Sequence, residues 1–272
     1  MLKKLLIKAI RETCSPAAPV ALLLSGGIDS SCLLFACLEL GLSPHCYTYS
    51  VENEPSFDRK QALRLTAAFG LRLEEIVIPA APDKALAAIR TLLRLGVRGQ
   101  VALQCMHGHL YVAPYVQEPL VLNGSGVDAL LGSYHHENLA FRVFESRSNF
   151  DKMRAAHLQD ADDDCMMTQQ RLYASKGVRT VFPYRHPGIV VYLMGLSWSD
   201  INHPRLKTVS INAFGDWAVK VPGFRWRRGA QQLVAGTKRL HLALLSTTAN
   251  RKRRRALPAF YRDLEEELGE RK

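Results

Sequence analysis

The feature that most constrains this chain is a junction near its start. Residues 20–24, Val20-Ala21-Leu22-Leu23-Leu24, form a short apolar run preceded by Pro19, and after one serine it meets Gly26-Gly27. A run that is apolar at every position has no solvent face, so it reads as a parallel strand buried on both sides. Residues 30–40 are apolar on most faces and read as a helix, with Gly41 as its C-cap. A buried strand, a glycine turn and an apolar helix in immediate succession predict an α/β unit with a right-handed crossover.

The next segments repeat the alternation. Residues 45–51 (His-Cys-Tyr-Thr-Tyr-Ser-Val) are rich in strand formers, 56–69 show helical spacing closed by Gly70, and 71–78 partly alternate until Pro79 stops them. Residues 82–95 and 101–113 read as helices and 120–122 as a short strand running into Asn123-Gly124-Ser125-Gly126. Beyond about residue 135 the strand signal fades, and 150–176, 187–196 and 231–245 look helical. The expected organisation is an α/β parallel-sheet domain over 1–135, followed by a mainly helical C-terminal lobe over 136–272 that completes the site. No internal repeat or low-complexity linker interrupts it.

Composition excludes several classes. The 272 residues are 47% hydrophobic and 22% charged, as expected for a globular chain with an ample core. No stretch has the length of a membrane span, and Met1 to Ile10 is too short and too charged to be one. The six cysteines form no C-x-x-C pair, which reads as free thiols in a reducing, cytoplasmic setting rather than a zinc site. The net charge is +11, and 13 Lys/Arg against 5 Asp/Glu lie from Arg225 onward, densest in the run at 251–255. A nucleic-acid partner is compatible with that tail, but a solvated helix end plus a phosphate site is the preferred reading.

The chemistry concentrates in Leu24-Ser25-Gly26-Gly27-Ile28-Asp29-Ser30-Ser31. This stretch follows a strand and opens a helix, the place where α/β proteins bind ligands. The glycines let backbone N–H groups approach an anion, Ser25, Ser30 and Ser31 add hydroxyls, and the helix N-terminus adds a positive dipole end. Asp29 would repel a phosphate by itself, and it fits if it holds a divalent cation bridging phosphates. A Gly-Gly turn with an Asp-Ser helix cap is the plain structural alternative. The loop lacks the Gly-Lys-Ser/Thr ending of a Walker A motif.

This S-G-G-x-D-S pattern resembles the PP-loop of N-type ATP pyrophosphatases. The resemblance implies that Leu24 to Ser31 bind ATP, gripping the β- and γ-phosphates as leaving pyrophosphate while a substrate oxygen attacks the α-phosphate. A second stretch, Leu122-Asn123-Gly124-Ser125-Gly126-Val127-Asp128 through Gly132 and Tyr134, is similar to the L-S-G-E-G-x-D-E-x-F-G-G-Y motif of the asparagine synthetase family. By that resemblance Asn123, Gly124 and Gly126 join the ATP site, and Asp128 pairs with Asp29 as a Mg²⁺ ligand. Residues 177–184 look like the family's R-x-P-F-L-D neighbourhood with altered order. Lys207 through Phe214, Pro222 and residues 225–229 resemble its K-x-x-L-R … L-P … R-x-K-x-G tail. The tail's phosphate-contacting lysine corresponds to Arg227, or to Arg228 one register on. Either keeps the charge but not the compact ammonium.

The chain also departs from the family. Residue 2 is Leu2 and the first strand begins at Val20, so no glutaminase domain precedes it in this sequence. Nitrogen is expected from ammonia, an amine substrate or a separate glutaminase. The motif's glutamates are replaced by Ser125 and Ala129, and serine is a poor base. His135, His136 and Glu137 could substitute, though a surface histidine pair is the simpler reading. These readings predict an ATP- and Mg²⁺-using, amide-forming ligase that adenylates a small-molecule acceptor, with an aspartate-like carboxylate as default. The alternatives are a tRNA-modifying PP-loop enzyme and a non-catalytic ATP-binding regulator.

Overall fold

The structure is a computed structural model, which describes residues 1–15, 18–54, 56–133, 146–160, 165–226, 235–247 and 257–269. The expected domain boundary at 135/136, Tyr134, His135, His136, Glu137, Arg227, Arg228 and the basic run at 251–255 lie outside the described residues.

The expected alternation is present. An N-terminal helix α1 (Leu2–Thr13) leads into β1 (Ala21–Leu23), α2 (Ile28–Glu39), β2 (His45–Val51), α3 (Phe57–Phe69) and β3 (Leu73–Ile78). Two helices follow, α4 (Pro82–Arg94) and α5 (Gln100–Val112), then β4 (Leu120–Leu122) and the short α6 (Asp128–Leu131). Further on come α7 (Arg147–Gln159), α8 (Met166–Ala174), β5 (Arg179–Val181), α9 (Pro187–Gly195), α10 (Trp198–Asn202), α11 (Thr208–Ala213), α12 (Gly215–Ala218), α13 (Thr237–Thr247) and α14 (Leu257–Glu267).

Two differences from the sequence reading stand out. The single helix expected over 150–176 is two helices, because Asp160 leaves the helical region with ψ 113° and ends α7. A fifth strand, β5, comes from the half in which the strand signal fades. It pairs in parallel with β4, Leu122 opposite Val181, so the sheet draws on both halves of the sequence.

All neighbouring strands are parallel, in the order β3-β2-β1-β4-β5. The order runs one way from β1 to β3 and the other way from β4 to β5, so the topology reverses between β1 and β4. In an open α/β sheet the crevice at that reversal, beyond the carboxyl ends of the strands, receives ligands. Strand alternation divides the core into two layers. Leu22, Leu24, Cys46, Leu120 and Leu122 pack with α1 and α2, whereas Ala21, Tyr47, Ile76, Ile78 and Val121 pack with residues of α4, α5, α13 and α14. α1 buries Leu2, Leu6, Ala9 and Ile10, a helical stripe that covers α2. Among the described residues no helix is long and apolar enough to cross a membrane.

Candidate functional site

The loop after β1 is held by its own hydroxyls and by one close backbone approach. Ser25 Oγ accepts from Gly27 N at 3.2 Å and lies 3.0 Å from Ser30 Oγ, which also accepts from Ser25 N at 3.3 Å. Gly26 has φ +70°, and a Cβ there would fall 2.4 Å from the Gln61 Cβ on α3. Only glycine fits that position. Gly27 is the N-cap of α2, which points its free N–H groups at the loop. Leu24 and Ser31 are buried, at 1% and 0% exposure; Leu24 N donates to Tyr47 O, and its side chain belongs to the core. Ser31 Oγ has no hydrogen-bond partner among the described residues. Any part Leu24 plays toward a phosphate is therefore played by its backbone.

The loop after β4 lies directly beside this one. A Cβ on Gly124 would sit 3.4 Å from Ser30 N and 3.5 Å from the Asp29 Cβ. Asn123 is buried: its Oδ1 accepts from Ser125 N and Ser125 Oγ, each at 3.0 Å, and its Nδ2 donates to Gln169 Oε1 on α8. Gln169 Nε2 reaches back to Ser125 Oγ at 3.4 Å. The position where the family motif has a glutamate is thus tied into a neutral amide and hydroxyl network, and Ser125 spends its proton on Asn123. Gly126, with φ +81°, admits the Met166 and Arg185 side chains, which a Cβ would meet at 2.6 and 2.8 Å. Tyr184, in the 3-10 turn Pro183–Arg185 after β5, is fully buried and donates to Asp29 O at 3.0 Å. The chain after β5 therefore forms the floor under both loops.

Asp29 and Asp128, 99 positions apart in sequence, converge on one cation. Lys207 Nζ lies 2.5 Å from Asp29 Oδ2 and 2.6 Å from Asp128 Oδ1. Side-chain exposure is 12% for Lys207, 19% for Asp29 and 38% for Asp128, so the cluster is shielded yet opens toward solvent on the Asp128 side. Burial opposes the charged state of Lys207, but the Asp128 and Asp29 carboxylates outweigh it and hold the ammonium above the usual lysine range. Burial likewise works against ionised Asp128. The Lys207 ammonium and the Ser133 hydroxyl, which donates to Oδ1, prevail and keep its carboxyl below the ordinary value.

Long-range contacts position the lysine. Lys207 adopts φ +61° between α10 and α11, and its N donates to Asn202 Oδ1 at 2.8 Å. Asn202 Nδ2 in turn donates to Leu131 O at 2.6 Å, in the helix that Asp128 begins. One buried amide thus fixes the backbone of Lys207 against the element carrying Asp128. The C-terminal tail approaches from the other side, where Gln61 Nε2 donates to Arg225 O at 3.1 Å. The sequence contains Lys207 within a tail-like stretch, but only the fold brings it to the carboxylates. Asn202, Gln61 and Gln169 carried no local signal.

The two carboxylates fit a divalent cation, because they already face a common cationic centre. Among the described residues no third His, Cys, Asp or Glu joins them. That donor set suits Mg²⁺, which commonly takes one or two carboxylates and completes its shell with phosphate oxygens and water.

Comparison with known proteins adds the following. No protein of curated function matches the chain. Similar solved structures include a predicted subunit of tRNA methyltransferase from Methanocaldococcus jannaschii, 16% identical, covering 65% of this chain and 74% of that one with a TM-score of 0.37. Another is NMN synthetase from Francisella tularensis, 17% identical, covering 71% of this chain and 92% of that one with a TM-score of 0.35. Neither likeness bears on substrate. The asparagine synthase family matches residues 1–267. With that match over nearly the whole length, and with both motif loops meeting at the reversal of a parallel sheet, the chain belongs to the asparagine synthase family, which supports an ATP-using synthetase.

Proposed function

We propose that this protein is an AMP- and pyrophosphate-forming carbon–nitrogen ligase. The observation that carries the reading is the convergence of Asp29 and Asp128 on a single cation at the β1/β4 reversal. The amides of the Ser25–Gly27 loop, the N-terminus of α2 and the hydroxyls of Ser25 and Ser30 would hold the β- and γ-phosphates of ATP. Gly124 and Gly126 would bring the loop after β4 against this phosphate site, with Asn123 shaping that loop. Asp29 and Asp128 would hold Mg²⁺, which when bound supplies charge neutralisation for the departing pyrophosphate. An acceptor carboxylate oxygen attacks the α-phosphorus, the bond to the β-phosphate oxygen breaks, and pyrophosphate leaves. A neutral amine then attacks the acyl carbon, AMP departs, and the amine loses a proton.

The C-terminal half supplies Tyr184, Gln169 and Lys207 to this site, which supports a lobe from about residue 136 that completes it. Arg227 and Arg228 follow Arg225, whose carbonyl is tied to α3, and would add positive charge near the phosphates. The Asn123–Ser125–Gln169 network offers no base, so the amine arrives as the free base or passes its proton to solvent. Ammonia, a small amine or the product of a separate glutaminase meets that need. The test is pyrophosphate release from Mg-ATP across carboxylate acceptors and amine donors. Release that is acceptor-dependent and lost in Asp29→Ala supports the ligase. Tight ATP binding without release under any pairing would sink it in favour of a regulator. Salt-sensitive co-purifying RNA would favour a tRNA-modifying enzyme.

A further inference from the structure

We infer that Lys207 is a resident counter-ion that closes the metal seat to free divalent cations and yields it only when the metal arrives with nucleotide. This rests on the synthetase reading and deepens it. The ammonium lies 2.5 and 2.6 Å from the two carboxylate oxygens that would ligate the metal, which are contact distances rather than those of a distant charge. Asp128 has a further protein partner, because Ser133 donates to its Oδ1, and the backbone that carries Asp29 is pinned by Tyr184, which donates to the Asp29 main-chain carbonyl. A metal ion therefore meets a half-neutralised, sterically filled seat. To enter, it must displace a positive charge held by two negative ones.

Free Mg²⁺ has little with which to do so. The described residues bring only these two carboxylates together, and the ion sheds its water reluctantly. ATP changes the balance in two ways. Its phosphate oxygens complete the metal's shell, and they give the displaced ammonium a new anionic partner. Lys207 is built for such a transfer. Its backbone is fixed by Asn202 to the helix of Asp128, while the charge rides on a flexible four-carbon stem. The ammonium leaves the carboxylates without leaving the site. The consequence is ordered binding, in which metal and nucleotide enter together and the protein without nucleotide does not collect divalent ions.

The experiment measures Mn²⁺ binding by electron paramagnetic resonance, without nucleotide, for the wild type, Lys207→Met and Lys207→Met/Asp128→Asn. Methionine keeps the length of the stem and removes the charge. The single variant is expected to bind Mn²⁺ about tenfold or more tightly than the wild type, from the loss of one unit charge at contact distance. The second substitution should abolish the gain. Equal metal-alone affinity in the wild type and Lys207→Met overturns the proposal, as does a gain that survives Asp128→Asn. Should Lys207→Met not fold, the wild type decides: binding only with α,β-methylene-ATP supports the proposal, and binding equally tight without it overturns it. Mn²⁺ that binds in neither arm fails the synthetase reading itself, and the proposal with it.

Discussion

At the carboxyl end of the sheet, Lys207 stands between Asp29 and Asp128. At the amino end, His45 and Tyr47 of β2 enclose Glu118, just before β4. The first joins the segments that follow β1 and β4, the second reaches across β1 from β2 to the start of β4, and both bury ionisable groups. They differ in closure. Glu118 accepts from Tyr47 at 2.8 Å and lies 2.7 Å from His45 Nδ1, Tyr47 OH is 2.9 Å from the same nitrogen, and side-chain exposure of His45 and Glu118 is 9% and 10%. Burial, then the bond to Glu118, raises the Tyr47 hydroxyl. Burial works against ionised Glu118, but its hydrogen bonds from Tyr47 and His45 bring it below the ordinary range. The amino-end groups bond one another and are closed from solvent, with His45 Nε2 left without a hydrogen-bond partner among the described residues. The carboxyl-end groups are bridged by an ammonium on a flexible four-carbon stem and face solvent at Asp128. The contrast lies in the bridging partner and the opening to solvent, more than in the charge.

The largest expected effect breaks the comparison at its functional end. Asp128→Asn should lower pyrophosphate release about a thousandfold, the scale of losing a principal electrostatic contact in a transition state. Its chemical denaturation midpoint should move little, because the residue is partly exposed and the asparagine still accepts from Ser133. A large loss of stability with retained turnover would assign this cluster the structural part.

The next effect sharpens the role of the loop itself. Gly26 and Gly41 share a φ of +70°, but a Cβ on Gly26 meets Gln61 at 2.4 Å, whereas one on Gly41 meets nothing within 4 Å. Gly41→Ala should cost the left-handed strain alone, about 1–2 kcal/mol. Gly26→Ala should cost about 2–4 kcal/mol and shift the loop, since overpacking adds to the strain. Urea titrations of the two variants measure the difference, and equal losses would show that Gln61 yields freely.

Glu118→Ala is the mirror of Asp128→Asn. Removing the acceptor leaves His45 and Tyr47 buried beside a gap, at a cost of about 2–3 kcal/mol. Pyrophosphate release per folded molecule should be unchanged. Thermal unfolding together with an assay below the midpoint tests both halves of that statement.

How much of this could be read in advance follows the range of the forces. The strands at 45–51 and 120–122 coincide with β2 and β4, and both motif loops were found, because apolar runs and glycine turns are local signals. β5 escaped because three residues, with Arg179 exposed, hold no period; β4 recruits them. The meeting of Asp29 with Asp128 came from resemblance and is present in the fold. The resemblance points to Arg227 or Arg228, outside the described residues, for the phosphate-contacting cation, and gives Lys207 no role within the tail-like stretch. The position of Lys207 comes from Asn202 and from contacts spanning 178 residues, which no local pattern encodes.

The smallest expected effect extends the comparison to a closed cluster without a carboxylate. His107 Nδ1 and His241 Nε2 lie 2.7 Å apart, His241 Nδ1 is 2.7 Å from Tyr261 OH, and both imidazoles are fully buried where α13 and α14 cover α5. Burial drives His107 down to about 4, and burial with the neighbouring His107 drives His241 to about 3, from an ordinary 6.5. Both are therefore neutral in the folded protein at pH 7. Between pH 6.5 and about 4 the unfolded chain takes up protons that the folded chain refuses, so stability falls as pH falls through that window and is flat above it. Each histidine contributes a slope of up to about 1.4 kcal/mol per pH unit. His241→Gln should remove one such increment, read from unfolding midpoints between pH 7 and 5, because burial alone still holds His107 down. An unchanged slope would mean that His241 is already protonated in the fold, with a buried counter-charge beside it.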